Sequence, residues 1–191
     1  MTESRIELLR TYVGDTHALV ESGRTTVGRQ VENLAKVSHR DALPAVRELK
    51  RVLDQHQVAL ESRLKALGGS TTASVKDAVS AVAGAAAGLI NAVRPSETVK
   101  SLRDDATYLS GLGVAYLLLY TTACAFADVE TAALAQRGYE DSARLTMHFD
   151  RILPRVTVEE LREEKVELVD PSEQVLAMVK NAWDRERPSG L

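Results

Sequence analysis

The chain is short of aromatic residues, of cysteine and, over one long stretch, of charge. Phe, Trp and Tyr make up 4% of its 191 residues, so a core has to be assembled from Ala, Val and Leu, which suit close helix packing. The single cysteine, Cys124, excludes an internal disulfide. Its apolar neighbours in sequence read as those of a small core residue rather than a reactive thiol. No phosphate-binding loop, dinucleotide glycine fingerprint or nucleophile elbow is present; Gly111-Leu112-Gly113 lacks the third glycine the fingerprint needs. A net charge of −3 argues against a nucleic-acid partner. The first residues, MTESRIELLR, mix charges and form no apolar signal region, so a cytoplasmic address is expected. With 45% hydrophobic and 27% charged residues, the composition is that of a globular domain with a substantial core.

What is present is helical patterning around one uncharged run. Residues 106–127, ATYLSGLGVAYLLLYTTACAFA, contain no Asp, Glu, Lys, Arg or His. As a helix the run would be roughly 33 Å long, enough either to span a bilayer or to sit among other helices. Three tyrosines and three threonines tip its surface with hydroxyls. Its flanks, Asp104-Asp105 and Asp128 with Glu130, are acidic rather than basic. The amphipathic segments around it need something apolar to pack on. A buried helix is therefore expected, with no membrane span.

Ahead of that run, Ile6, Leu9, Val13, Thr16, Val20, Gly23, Val27, Gln30, Leu34 and Val37 follow steps of three and four, which predicts a first helix over about 3–38. After a turn at 38–41, with Asp41 as N-cap, a second helix is expected up to Leu67, where Gly68-Gly69 ends it. Its stripe is Val46, Leu49, Leu53, His56, Leu60 and Leu67. Residues 70–96 are rich in small side chains, with Gly84 and Gly88 in a GxxxG spacing, and read as a crossover containing a small-residue helix. The third helix starts near Glu97. A fourth, capped by Asp128, is expected to stop at Pro154. Asp170-Pro171-Ser172-Glu173 carries the signals of another helix start, giving a C-terminal helix over about 171–186 with Val175, Val179 and Trp183 on its apolar side.

The plan is thus hairpin, long crossover, hairpin and tail, which is the layout of ferritin-like bundles. The stretch LDQHQVALESRLKALGG (53–69) resembles the second helix of bacterial ferritin-like proteins of the stress-associated YciE/YciF type. Likewise, TYLSGLGVAYLLLYTTA (107–123) resembles their third helix, and DVETAALAQ (128–136) through LPRV (153–156) their fourth. The resemblance covers about residues 3–160. It implies an all-α, ferritin-like up-down four-helix bundle over 1–156 and an extension over 157–191. It also implies a homo-oligomer, with a dimer favoured, and in metal-binding members a carboxylate-bridged di-metal centre.

Such a centre takes a Glu from each of two helices and a Glu-x-x-His from each of the others. No Glu-x-x-His occurs in this chain. His56 and His148 fall on the stripes of helices two and four, but three residues before them stand Leu53 and Leu145, and helix three offers no carboxylate between 106 and 127. The residues left to hold iron or zinc are His56, His148, Asp141 and a helix-one group, Asp15 above all, with His17 and Glu21 as further choices. The competing expectation is that the histidines are neutral and bonded to each other, to Asp141 or to Tyr116 or Tyr120. The function expected is therefore a structural or interaction role as a homo-oligomer with a degenerate metal site, no cofactor and no catalytic residue. Its C-terminal helix would be available to a protein partner. Two alternatives remain: a metal-binding bundle handling iron or peroxide, and a membrane-associated helical protein.

Overall fold

The computed structural model describes residues 2–36, 41–70, 97–165 and 167–185. Its helices are α1 (Glu3–Leu34), α2 (Ala42–Ala66), α3 (Glu97–Ala125), α4 (Val129–Glu163) and α5 (Ser172–Arg185), and no strand occurs among the described residues. The fold is an all-α bundle. The three-and-four stripe of α1 is its buried face: Leu9, Val13, Thr16, Val20, Gly23, Val27, Gln30 and Leu34 all lie inside. Leu49, Leu53, Leu60 and Leu64 of α2 meet them, with Leu102, Leu109, Leu112, Tyr116 and Leu119 of α3 and Leu134, Leu145, Phe149 and Ile152 of α4.

Side-chain bonds fix the directions of the helices. Arg10 donates to the Leu67 carbonyl at 3.0 Å, and Gln57 meets His17 at 2.8 Å, so α1 and α2 are antiparallel. Tyr108 donates to the Leu19 carbonyl and Gln30 to Asp105, so α1 and α3 are antiparallel too. The His56–Asp141 and Arg63–Thr131 pairs do the same for α2 and α4. The diagonal helices are therefore parallel: α2 ends where α1 begins, and α3 starts at the opposite end. The expected crossover with its GxxxG spacing (71–96) lies outside the described residues.

Two turns use one device. At the end of α2, Gly68 N–H bonds to Lys65 O and Gly69 N–H to Leu64 O, with Gly68 at φ 73°. At the end of α3, Ala127 N–H bonds to Cys124 O and Asp128 N–H to Ala123 O, with Ala127 at φ 56°. Both are Schellman caps. Glycine fills the left-handed position at no steric cost in the first, whereas an alanine is forced into it in the second. Asp128 then caps α4 by accepting from Thr131 N–H at 2.8 Å. Burial works against its charge, but Thr131 and the Arg63 guanidinium prevail and hold its pKa below the usual value.

Two glycines admit the large side chains of α3. A Cβ at Gly138 of α4 would run into the Tyr116 ring, and one at Gly23 of α1 into the Tyr108 ring. Few aromatics are present, and two of them are seated directly on neighbouring backbone.

Several expectations need correction. Pro154 does not end α4, which continues to Glu163. The proline removes one helix bond, but Val156 and Val158 pack inside beyond it. Glu160 also accepts from the N–H groups of Thr98 and Val99 at 3.0 and 3.1 Å, capping α3. The 156/157 boundary therefore falls within a helix. Asp41 makes no side-chain cap bond. Cys124 is exposed rather than a core residue. Most consequentially, the 106–127 run is not buried all round: Val114, Leu117 and Leu118 are 57%, 48% and 52% exposed.

Candidate functional site

The polar groups inside the bundle collect in three places. The first joins α2 to α4. His56 Nε2 lies 3.2 Å from Asp141 Oδ2, and the His56 ring meets the edge of Tyr116 at a centroid distance of 5.2 Å. Burial lowers the His56 pKa below its usual value, and Asp141 only partly offsets this, so the imidazole is neutral at pH 7. Its Nδ1 is buried without a hydrogen-bond partner among the described residues. From Asp141 the network runs outward: Arg144 bonds to Asp141 at 3.2 Å and to Glu48 at 3.4 Å, and Arg51 bonds to Glu48 at 2.7 Å. Tyr116 is deeply buried, which raises its pKa well above the ordinary phenol range and leaves it a poor proton source.

The second place joins α1 to α2. The Gln57 amide donates to His17 Nε2 at 2.8 Å and to Glu61 Oε1 at 3.0 Å. His17 therefore carries its proton on Nδ1, a tautomer assigned from this bond. The Gln57 bond holds the Glu61 pKa below its usual value. The third place joins α1 to α3, where Gln30 Nε2 donates to Asp105 Oδ2 at 2.7 Å. Burial pushes the Asp105 pKa up to about 7, against the bond from Gln30 and with a contribution from Asp104.

Of the proposed metal ligands, the structure brings His56 and Asp141 together and leaves the other two apart. His148 is exposed, because the buried face of α4 passes from Leu145 to Phe149 and Ile152. A seven-residue step drifts off a 3.6-residue helix, and His148 is carried outside. It lines a groove of about 770 Å³ between α4 and α5, with Arg151, Lys180 and Trp183. Asp15 is exposed on the outer side of α1. Of the two further helix-one choices, Glu21 pairs with Arg24 and His17 with Gln57. No group of three His, Cys, Asp or Glu residues that could hold a metal ion occurs among the described residues. Leu53 and Leu145, where carboxylates would stand, are fully buried.

Local reading missed Gln57, Asp105 and Glu160, each of which acts through a partner far along the chain. Gln30 was visible as the one amide on the apolar stripe of α1. Asp105 was hidden as half of an acidic pair.

No family model and no curated protein matches the chain. The fold is similar to the crystal structure of a protein (XCC3681) from Xanthomonas campestris pv. campestris, with a TM-score of 0.69 and 13% identity, covering 85% of this chain and 99% of that one. The two share a helical-bundle architecture. The class that fold and site define is an all-α bundle with a largely apolar centre and paired polar groups between its helices.

Proposed function

We propose that this chain is a ferritin-like helical bundle acting as a structural, homo-oligomeric scaffold in a stress-associated, cytoplasmic setting, and that it does not work through a di-iron centre. The observation that carries this reading is the filling of the bundle at the level of His56. Leu53, Leu145 and Tyr116 are buried there, in place of the carboxylates that bridge two metals. His56 and Asp141 are left as a pair that ties α2 to α4. Asp141 is spoken for by Arg144 as well, and a lone imidazole with one shared carboxylate is a poor site for iron or zinc. We assign no catalytic residue. Helix α5 and its groove remain the place for a protein partner.

Metal analysis of the purified protein grown with iron and zinc, taken together with its mass in solution, tests the proposal. An oligomer with less than a tenth of a metal atom per chain supports it. Stoichiometric iron with an oxo-bridge absorption would favour iron or peroxide handling instead.

One observation favours a second reading. The span Thr98–Ala125 is long and apolar enough to cross a bilayer, and only a third of its most apolar window is buried in the bundle. A membrane-associated protein would use this face against lipid. Recovery of the untagged protein in a detergent-free high-speed supernatant would end that reading.

A further inference from the structure

We propose that the outer face of α3 is the surface on which a second copy of this chain docks, antiparallel, about a twofold axis at the level of Tyr116. The inference rests on the oligomeric reading above and adds its interface.

The exposed residues of α3 include Thr107, Gly111, Val114, Leu118, Thr121 and Ala125. Their steps are four, three, four, three and four, a heptad a/d seam, but here it points away from the bundle's own core. No charge interrupts it from 106 to 127. The outward sides of α2 and α4 are instead occupied by charged residues such as Arg51, Glu48 and Arg144. Leu117 and Tyr139 widen the face on the α4 side, where they line a common groove. Tyr12 widens it on the α1 side, seven residues from both Arg5, which lies over Phe126, and Leu19, which accepts from Tyr108.

A second copy fits better than another occupant because the seam is complementary to itself. In an antiparallel pair centred on residue 116, Val114 of one copy meets Leu118 of the other, Gly111 meets Thr121, and Thr107 meets Ala125. The large side chains share the middle, and small ones at both ends allow close approach. This is an isologous contact. Charge sets the direction. Lys100 continues the exposed side of α3 and has no ion-pair partner among the described residues. A parallel pair would bring the two lysines together. The antiparallel pair separates them by about 48 Å and turns each toward the end where Asp128 and the exposed Glu130 share the single Arg63 guanidinium, which leaves one negative charge in excess. The seam is about 27 Å long and about one helix diameter, 10–12 Å, wide, and Leu117, Tyr139 and Tyr12 extend it to both sides toward the roughly 500 Å² per copy that a specific interface needs.

The test uses the full chain and its native cysteine. Analytical ultracentrifugation should show a dimer. Val114→Glu and Leu118→Glu, both at exposed positions, should weaken it at least tenfold while helicity and melting temperature hold. A nitroxide on Cys124 should report a separation of at least the roughly 24 Å axial offset between the two sites. A dimer unaffected by either variant would overturn this interface while leaving the oligomeric reading standing. A label distance below about 15 Å would overturn the antiparallel arrangement. A monomeric wild type would overturn both proposals. If that monomer also bound phosphatidylglycerol vesicles, the face would belong to lipid.

Discussion

Gln30 and Asp105, 75 residues apart, form a buried hydrogen bond of 2.7 Å that joins α1 to α3. Its acceptor is a carboxyl whose pKa is raised from 3.8 to about 7 by burial. Between those two values the folded chain holds more protons than the unfolded chain, so this group makes stability fall as pH rises from about 4 to 7. The full cost is present above pH 7 and is on the order of 2–4 kcal/mol. Asp105→Asn keeps an oxygen for Gln30 and removes the charge. It should stabilise the protein by about 1–3 kcal/mol more at pH 8 than at pH 4, where little of the cost has developed, as read by denaturant unfolding at both values. Equal effects at the two pH values would show that Asp105 is not protonated in the fold.

His56 works with the opposite sign. Its pKa is depressed by burial, so the unfolded chain binds more protons once pH drops toward 6.5. The His56 contribution to stability should therefore decline below about pH 7 until the folded-state pKa is passed, against the opposite contribution of Asp105. His56→Leu should remove that decline and leave stability at pH 7.5 within about 1 kcal/mol of wild type, because a buried polar group is exchanged for apolar packing. A loss above about 3 kcal/mol with collapse of the bundle would place His56 in an essential polar or metal network.

Gly138→Ala probes the seat of Tyr116. The added Cβ meets the ring itself rather than a flexible chain end, so Tyr116 must leave its position beside His56. The expected loss is about 1–3 kcal/mol, measured by thermal or urea unfolding. A neutral result would mean that α3 and α4 can separate without penalty.

Ala127→Gly acts in the other direction. Ala127 holds a left-handed φ of 56°, and glycine removes that strain at the α3–α4 turn. A gain of about 0.5–1 kcal/mol is expected, visible as a raised melting temperature.

Much of the bundle could be read locally, because α1 and α2 alternate apolar and polar faces with helical spacing. In α3 the same reading failed for a physical reason. A run apolar on every side has no periodicity, so nothing told Leu118 from Leu119, yet the first is half exposed and the second fully buried. A helix buried all round would not tolerate Leu118→Asp, but with Leu118 half exposed that variant should stay folded. Pro154 carried a true stop signal that packing overrode. At the candidate site, the pairing of His56 with Asp141 was within reach of pattern. His148 was not, since the drift of about 20° that a seven-residue step accumulates carries it past the edge of the buried face of α4. The Glu160 cap on α3 spans 62 residues and leaves no local trace.

The most direct test of the central claim is the mass of the native protein in solution, measured by light scattering with elemental analysis on the same fraction. A scaffold without a di-iron centre predicts twice the chain mass and less than a tenth of a metal atom per chain. Two iron atoms per chain, or a monomer at every concentration tested, would contradict it.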